Sequence, residues 1–227
     1  MTDTLRDDPH AGQPVRAAGT PLAKASVAMI MVHGRGASAE SILTLAAALA
    51  VPGVAFLAPQ AGGSQGNQWY PYTFMAPIEQ NEPGISSGMR AIERVLARIE
   101  AAGIPPARTL LLGFSQGACL ASEFVARHAR RYGGLAVLSG ALIGPDGLPR
   151  NYPGSLEATP VFLGCSDVDS HIPAWRVRES AEVLEELGAE VTLRLYPGMG
   201  HVINDDEIEA VRATIVAAGA DRMSGSS

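Results

Sequence analysis

A chain of 227 residues with 47% apolar and 18% charged side chains can bury a sizeable core and is too apolar to stay disordered. Its 17 Lys+Arg against 23 Asp+Glu leave a formal charge of −6 with no basic run, which argues against a nucleic-acid partner. No apolar stretch reaches the roughly 18 residues of a membrane span, residues 1–24 lack the apolar centre of a secretory signal, and two cysteines are too few for a disulfide framework. The expected arrangement is a flexible lead-in over 1–24, a single domain over 25–219 and a flexible tail over 220–227, in a cytoplasmic setting.

Residues 27–33, Val-Ala-Met-Ile-Met-Val-His, read as a strand buried on both faces and ending at Gly34. Ser38 is placed to cap a helix with Ile42, Leu45 and Leu49 on one face, running to about residue 50. Residues 54–58 give the second strand. Ile85, Met89, Ile92, Leu96 and Ile99 recur at helical spacing and stop at Gly103. Then follow a strand at 109–114, a helix at 116–128, and strands at 135–139 and 160–165. Val177, Ala181, Leu184 and Leu187 mark a helix closed by Gly188, and 191–196 is the sixth strand. Asn204 and Glu207 form a capping box for a last helix with Ile208, Val211 and Ile215 facing inward. Six strands with helices between nearly all of them predict an α/β fold: a mostly parallel, doubly wound sheet that binds ligands beyond its strand carboxyl ends. Two connections, 59–84 and 140–159, are long enough for lids or pocket walls.

Gly-x-Ser-x-Gly occurs twice, around Ser64 and around Ser115. A nucleophile elbow needs a strand running into the turn and a helix leaving it. Ser115 has Thr109-Leu-Leu-Leu before it and Ala118-Cys-Leu-Ala after it, whereas Ser64 is followed by Asn67-Gln-Trp-Tyr-Pro71. Ser115 is therefore the candidate nucleophile and Ser64 a loop serine. A serine hydroxyl needs a base, and the base an orienting acid. Among five histidines, His10 falls in the lead-in, His33 ends a strand, His128 ends a helix and His171 sits in a strand-end loop. His201, in Pro197-Gly-Met-Gly-His between the last strand and the last helix, is the candidate base. Asp167 and Asp169 both follow the fifth strand, and spacing does not choose between them. The order Ser, Asp, His is that of α/β-hydrolases. The backbone N–H groups of Gln116 and Arg35 are the candidate oxyanion donors, the latter in the glycine-flanked His33-Gly-Arg-Gly36. His33 reads as a structural brace for that loop. The Arg35 side chain has two open roles: meeting an acidic substrate, or pairing with Glu79 or Glu82.

Val32-His-Gly-Arg-Gly36, Gln68-Trp-Tyr70, Gly113-Phe-Ser-Gln-Gly117, Leu138-Ser-Gly140, Asp169-Ser-His-Ile-Pro173 and Gly198-Met-Gly-His201, taken together and in order, resemble the phospholipase/carboxylesterase family, over about residues 20–218. The resemblance implies an α/β-hydrolase fold of six to seven strands without a large separate cap, and ester or thioester hydrolysis through an acyl-serine, with no cofactor or metal. It selects Asp169 as the acid, four residues before Pro173 of the family's Asp-x-x-Val-Pro-like motif. It also admits a homodimer. Two departures stand out: the family usually has an apolar residue where Arg35 stands and an Asp where Pro71 stands. Trp69, Tyr70, Phe74 and Met75 on the long loop, with Leu142, are the candidate substrate pocket. An aromatic pocket favours a small-molecule ester of short to medium chain. The alternatives are a thioesterase or lysophospholipase for longer acyl chains, or a ligand-binding protein of this fold without turnover.

Overall fold

The computed structural model describes residues 8–62 and 66–220. The chain order begins with β1 (Val15–Gly19) and β2 (Val27–Val32), followed by the short helices α1 (Ala39–Leu43) and α2 (Leu45–Leu49). Next come β3 (Val54–Pro59), α3 (Ile78–Asn81), α4 (Gly84–Ala101), β4 (Thr109–Phe114), α5 (Gln116–Arg127) and β5 (Gly134–Leu138). The chain finishes with β6 (Pro160–Ser166), α6 (Ala174–Glu186), β7 (Glu190–Tyr196) and α7 (Asp205–Ala220). The seven strands form one sheet in the order β1-β3-β2-β4-β5-β6-β7. Every adjacent pair is parallel except β1 with β3. Among the described residues no large separate cap is seen.

The unbroken apolar runs are explained by two cores. The pleat of β2 sends Ala28, Ile30 and Val32 to one face, where they meet Ile92 of α4, Phe124 of α5 and Val177 of α6. Val27, Met29 and Met31 go to the other, against Ile42 and Leu49 of α1 and α2 and Val211 and Ile215 of α7. A strand covered on both sides has no polar face to show.

Ser38 caps α1 with Ser41 completing the box, and the helix expected to run to residue 50 is broken at Thr44 into two. Asn204 and Glu207 exchange both bonds of a capping box at 2.9 Å each.

The lead-in differs from expectation. Residues 15–19 add an antiparallel edge strand to β3, paired from Val15↔Pro59 to Gly19↔Ala55. His10, expected in a loose segment, is buried: its Nδ1 accepts from Gly62 N–H (2.9 Å) and its Nε2 donates to Trp69 O (2.9 Å). Burial holds this imidazole below its ordinary value, as the neutral tautomer. Residues 1–7 and 221–227 lie outside the described residues, as does Ser64.

Glu207 is fully buried beneath β6, where a Cβ on Gly164 would stand 2.2 Å from its Oε1. Burial raises its carboxyl from 4.5 to about 7 against the opposing Asn204 bond. The folded state therefore holds this proton more tightly than the unfolded chain. The related stability is complete below pH 4.5 and declines as pH rises to about 7. Glu207→Gln keeps an acceptor for Asn204 N–H and removes the charge. It is expected to stabilise the fold by on the order of 2 kcal/mol at pH 8 and by close to nothing at pH 4, measured by urea unfolding at both.

Candidate active site

The site is built around a turn that has no room for side chains two residues before and two residues after Ser115. β4 ends at Phe114 and α5 begins at Gln116, so Ser115 alone makes the reversal, at φ 55 and ψ −122. Positive φ in a non-glycine residue is strained and persists only where the surroundings enforce it. Here they do: a Cβ on Gly113 would meet Gly117 O at 2.4 Å, and one on Gly117 would meet Val32 O at 2.1 Å. The two glycines of the motif let β4, α5 and the end of β2 close on one another.

Three chain-distant groups meet there. Ser115 Oγ lies 2.9 Å from His201 Nε2, and His201 Nδ1 lies 2.7 Å from Asp169 Oδ2. Asp169 accepts through Oδ1 from the amides of His171 (2.8 Å) and Ile172 (3.0 Å). The Cys165 thiol approaches Oδ2 at 3.8 Å. Burial by itself would raise the Asp169 carboxyl; the bonds from His201 and the two amides outweigh it and hold the group below its ordinary value. An ionised Asp169 can only accept, so Nδ1 carries the imidazole proton and Nε2 is left to accept from Ser115 O–H. Asp167 points elsewhere: its Oδ1 takes the Gly198 amide at 2.8 Å, while Ser166 Oγ takes that of Gly200 at 3.1 Å. These two residues set the loop that carries His201, a role the sequence reading did not assign.

Both candidate oxyanion residues border the cavity beside Ser115. Gln116 opens α5, so its N–H has no intrahelical acceptor and sits at the positive end of the helix dipole. Gly34 brings the Arg35 turn against the serine, its Cβ position being 3.4 Å from Ser115 Cβ. His33 braces this turn as expected, with Nδ1 donating to Gly34 O (2.8 Å) and Nε2 accepting from Ala61 N–H (3.1 Å).

The cavity has a volume of about 520 Å³. Of the five pocket candidates, Tyr70 and Phe74 line it; Trp69, Met75 and Leu142 do not. Trp69 is wholly buried as an anchor, donating from Nε1 to His33 O (2.8 Å) and from its amide to Gln116 Oε1 (2.9 Å). Met75 is a half-buried residue packed at the edge of the larger core. Leu142 is buried in a segment held away from the cavity, where its amide bonds Ser180 Oγ (2.9 Å) and its neighbour Ile143 donates to buried Glu123 (3.0 Å). The Gln116 side chain also donates to Tyr70 O (2.8 Å), tying the aromatic loop to the elbow. Sequence reasoning gave Gln116 only a backbone role; the signal was a long polar side chain at the start of a buried helix. His171, the histidine of the strand-end loop, stands with its ring edge-on to that of His201, centroids 4.9 Å apart, at the cavity wall. Cys119 also lines the cavity, but burial pushes its thiol up to about 12, so it is not a thiolate near neutral pH. Among the described residues no cluster of three or more His, Cys, Asp or Glu is placed to hold a metal ion.

A profile of the Phospholipase/Carboxylesterase family matches residues 17–218. The solved phospholipase/carboxylesterase of Dyadobacter fermentans superposes with a TM-score of 0.84 at 41% identity, over 90% of this chain and 97% of that one. Acyl-protein thioesterase 1 of Emericella nidulans is 29% identical over 213 residues, 83% of this chain and 88% of its own. A probable carboxylesterase of Oryza sativa subsp. japonica is 29% identical over 143 residues, and this match spans 54% of that protein's length.

Gly117 provides a test of the elbow. In an ordinary helix, glycine to alanine gains about 1 kcal/mol. The 2.1 Å approach to Val32 O reverses the sign, and Gly117→Ala is expected to lower the thermal midpoint by several degrees or abolish soluble expression, as read by a melting curve.

Proposed function

This chain belongs to the phospholipase/carboxylesterase family, and from that premise we propose that it is a serine carboxylesterase hydrolysing short- to medium-chain carboxylic esters. The observation that carries the proposal is the bonded series Ser115–His201–Asp169 at the wall of a cavity of about 520 Å³. In this reading His201 Nε2 takes the Ser115 proton as Oγ attacks the ester carbonyl. The carbonyl oxygen becomes an oxyanion facing the amides of Gln116 and Arg35, each donor lowering the barrier by about 3–4 kcal/mol. Collapse breaks the acyl C–O bond, and His201 returns the proton to the leaving alkoxide. Water then adds to the acyl-serine by the same route and releases the carboxylic acid. Asp169 holds the imidazole and balances its charge when it is protonated.

A bounded cavity with Tyr70 and Phe74 in its wall supports a limit on chain length, since each buried methylene contributes about 0.8 kcal/mol only while wall remains to cover it. A second reading, a thioesterase for longer acyl chains, is favoured by the likeness to the fungal acyl-protein thioesterase. No helix of the described residues is long and apolar enough to cross a membrane. Two buried free thiols, Cys119 and Cys165, fit a reducing, cytoplasmic setting.

Hydrolysis of 4-nitrophenyl esters from acetate to palmitate tests the proposal. Turnover is expected to peak below about ten carbons and to vanish in Ser115→Ala; a peak beyond that length transfers the assignment to the second reading. Asp169→Asn is expected to reduce kcat by about 10³–10⁴. Asp167→Asn, whose carboxamide oxygen still accepts from the Gly198 amide but without the charge, is expected to cost less than about tenfold. The reverse order would exchange the two roles.

A further inference from the structure

Arg35 carries a charge that no acid of the described residues balances. Its Nη1 donates to Gln68 Oε1 and to Pro71 O (2.8 Å), and its Nη2 to Tyr72 O (2.6 Å). All three acceptors are neutral, so the contacts fix the guanidinium against the aromatic loop and leave its charge whole. The pairing with Glu79 or Glu82 is not formed: Glu82 instead accepts from Ser86 N–H (3.0 Å) and Oγ–H (2.8 Å), and no carboxylate of the described residues pairs with Arg35. A guanidinium has five N–H groups, and the three bonds leave two without a protein acceptor among the described residues.

The surroundings sharpen the point. Arg35 lines the cavity with Ser115, His171 and His201, and no Asp or Glu borders that space. Arg35 thus sets a fixed positive charge where the reacting ester must enter, in a chain whose formal charge is −6. A concave, partly apolar mouth focuses such a field on whatever binds there. A neutral alkyl ester would leave the cation facing apolar atoms; an anion would meet it with charge-assisted bonds.

We propose that the substrate of this site is an ester bearing a second, anionic group, a carboxylate or a phosphate, which the Arg35 guanidinium binds while Ser115 attacks the ester carbonyl. The inference rests on the esterase reading above. It names Arg35 as the residue that selects among esters.

Matched probes separate charge from shape. Monomethyl glutarate and methyl 4-nitrobutyrate differ by a carboxylate against a nitro group, with the anion on the acyl side. The pair 4-acetoxybutyrate and 3-nitropropyl acetate does the same on the alcohol side. Methyl 4-phosphonobutyrate distinguishes phosphate from carboxylate. Hydrolysis followed by proton release at low salt is expected to favour an anionic member over its nitro partner by at least about tenfold in kcat/KM. That ratio should shrink as salt is raised, fall to about one in Arg35→Gln and stay above one in Arg35→Lys, each ratio being taken within one variant so that loss of the loop contacts cancels. Equal rates for both members of both pairs in the unmodified enzyme, or a ratio unchanged by salt and by Arg35→Gln, would overturn the inference. Should Arg35→Gln fail to fold, the salt dependence of the unmodified enzyme decides the matter. Turnover of 4-nitrophenyl butyrate alongside a failed preference leaves the esterase reading standing; absence of turnover on every ester removes both.

Discussion

The close approach of β4, α5 and the end of β2 at Gly113 and Gly117 is the constraint from which the rest of the site follows. With no side chains at those two positions, the helix starts within one residue of the strand, and Ser115 is pushed out of the turn at positive φ. The same approach places Gly34 against Ser115, and with it the turn that carries the candidate donor Arg35. The strain at Ser115 is held by two covered cores, one on each face of the sheet, since neither β4 nor α5 can shift without opening one of them.

A second layer of bonds carries the elbow outward to the loops. Gln116 holds Trp69 and Tyr70, Trp69 holds His33, and His33 holds the oxyanion turn. His10 closes the set from the N-terminal segment, its ring edge-on to Trp69 at 5.1 Å. Both imidazoles are buried and neutral, each with one nitrogen donating to a carbonyl and the other accepting from an amide, Gly62 for His10 and Ala61 for His33. An imidazole is suited to this because it presents an acceptor and a donor on opposite sides of one small ring. The long aromatic loop is therefore a wall anchored at its root, and only its outer part, from Tyr70 to Phe74, faces the cavity.

The elements legible in the sequence were those whose signal is local. β2 and β3 declare themselves because burial on two faces leaves no polar residue in the run, β4 because its one polar residue, Thr109, stands at its start, and the Asn204–Glu207 box because its two residues answer each other across one turn. β1 was missed for the converse reason. Val-Arg-Ala-Ala-Gly is short, half exposed and unremarkable in composition, and only pairing with β3 makes it a strand. Tertiary pairing likewise decides the fate of Trp69: an aromatic residue on a long loop reads as pocket lining until His33 O and Gln116 Oε1, remote in sequence, are seen to claim its two N–H groups. The role of the Arg35 side chain stayed open for a related reason, since two of its three acceptors are backbone carbonyls, which no residue type announces.

The choice between the two aspartates shows how local geometry settles what spacing leaves open. Asp169 lies in a turn whose next two free amides, of His171 and Ile172, converge on one carboxylate oxygen and leave the other for His201. That turn fixes both the ionised form and the direction in which it acts, and its side chain is fully shielded from solvent. Asp167, two residues earlier, sits in the same connection but is exposed, and it spends an oxygen on the Gly198 amide. An exposed carboxylate there could hold a loop but would be too well solvated to bias an imidazole strongly. The two acids thus divide the work of one site: Asp167 with Ser166 sets where the histidine loop lies, and Asp169 sets which nitrogen of His201 carries the proton. Exchanging them would need β6 to slide by two residues, which keeps each side chain on its own face of the sheet but breaks the pairing of Val161 with Leu135 on one side and with Val191 on the other. The pairing of β6 with both neighbours therefore sets where the loop begins, and the two amides converging on Asp169 choose between the acids within it.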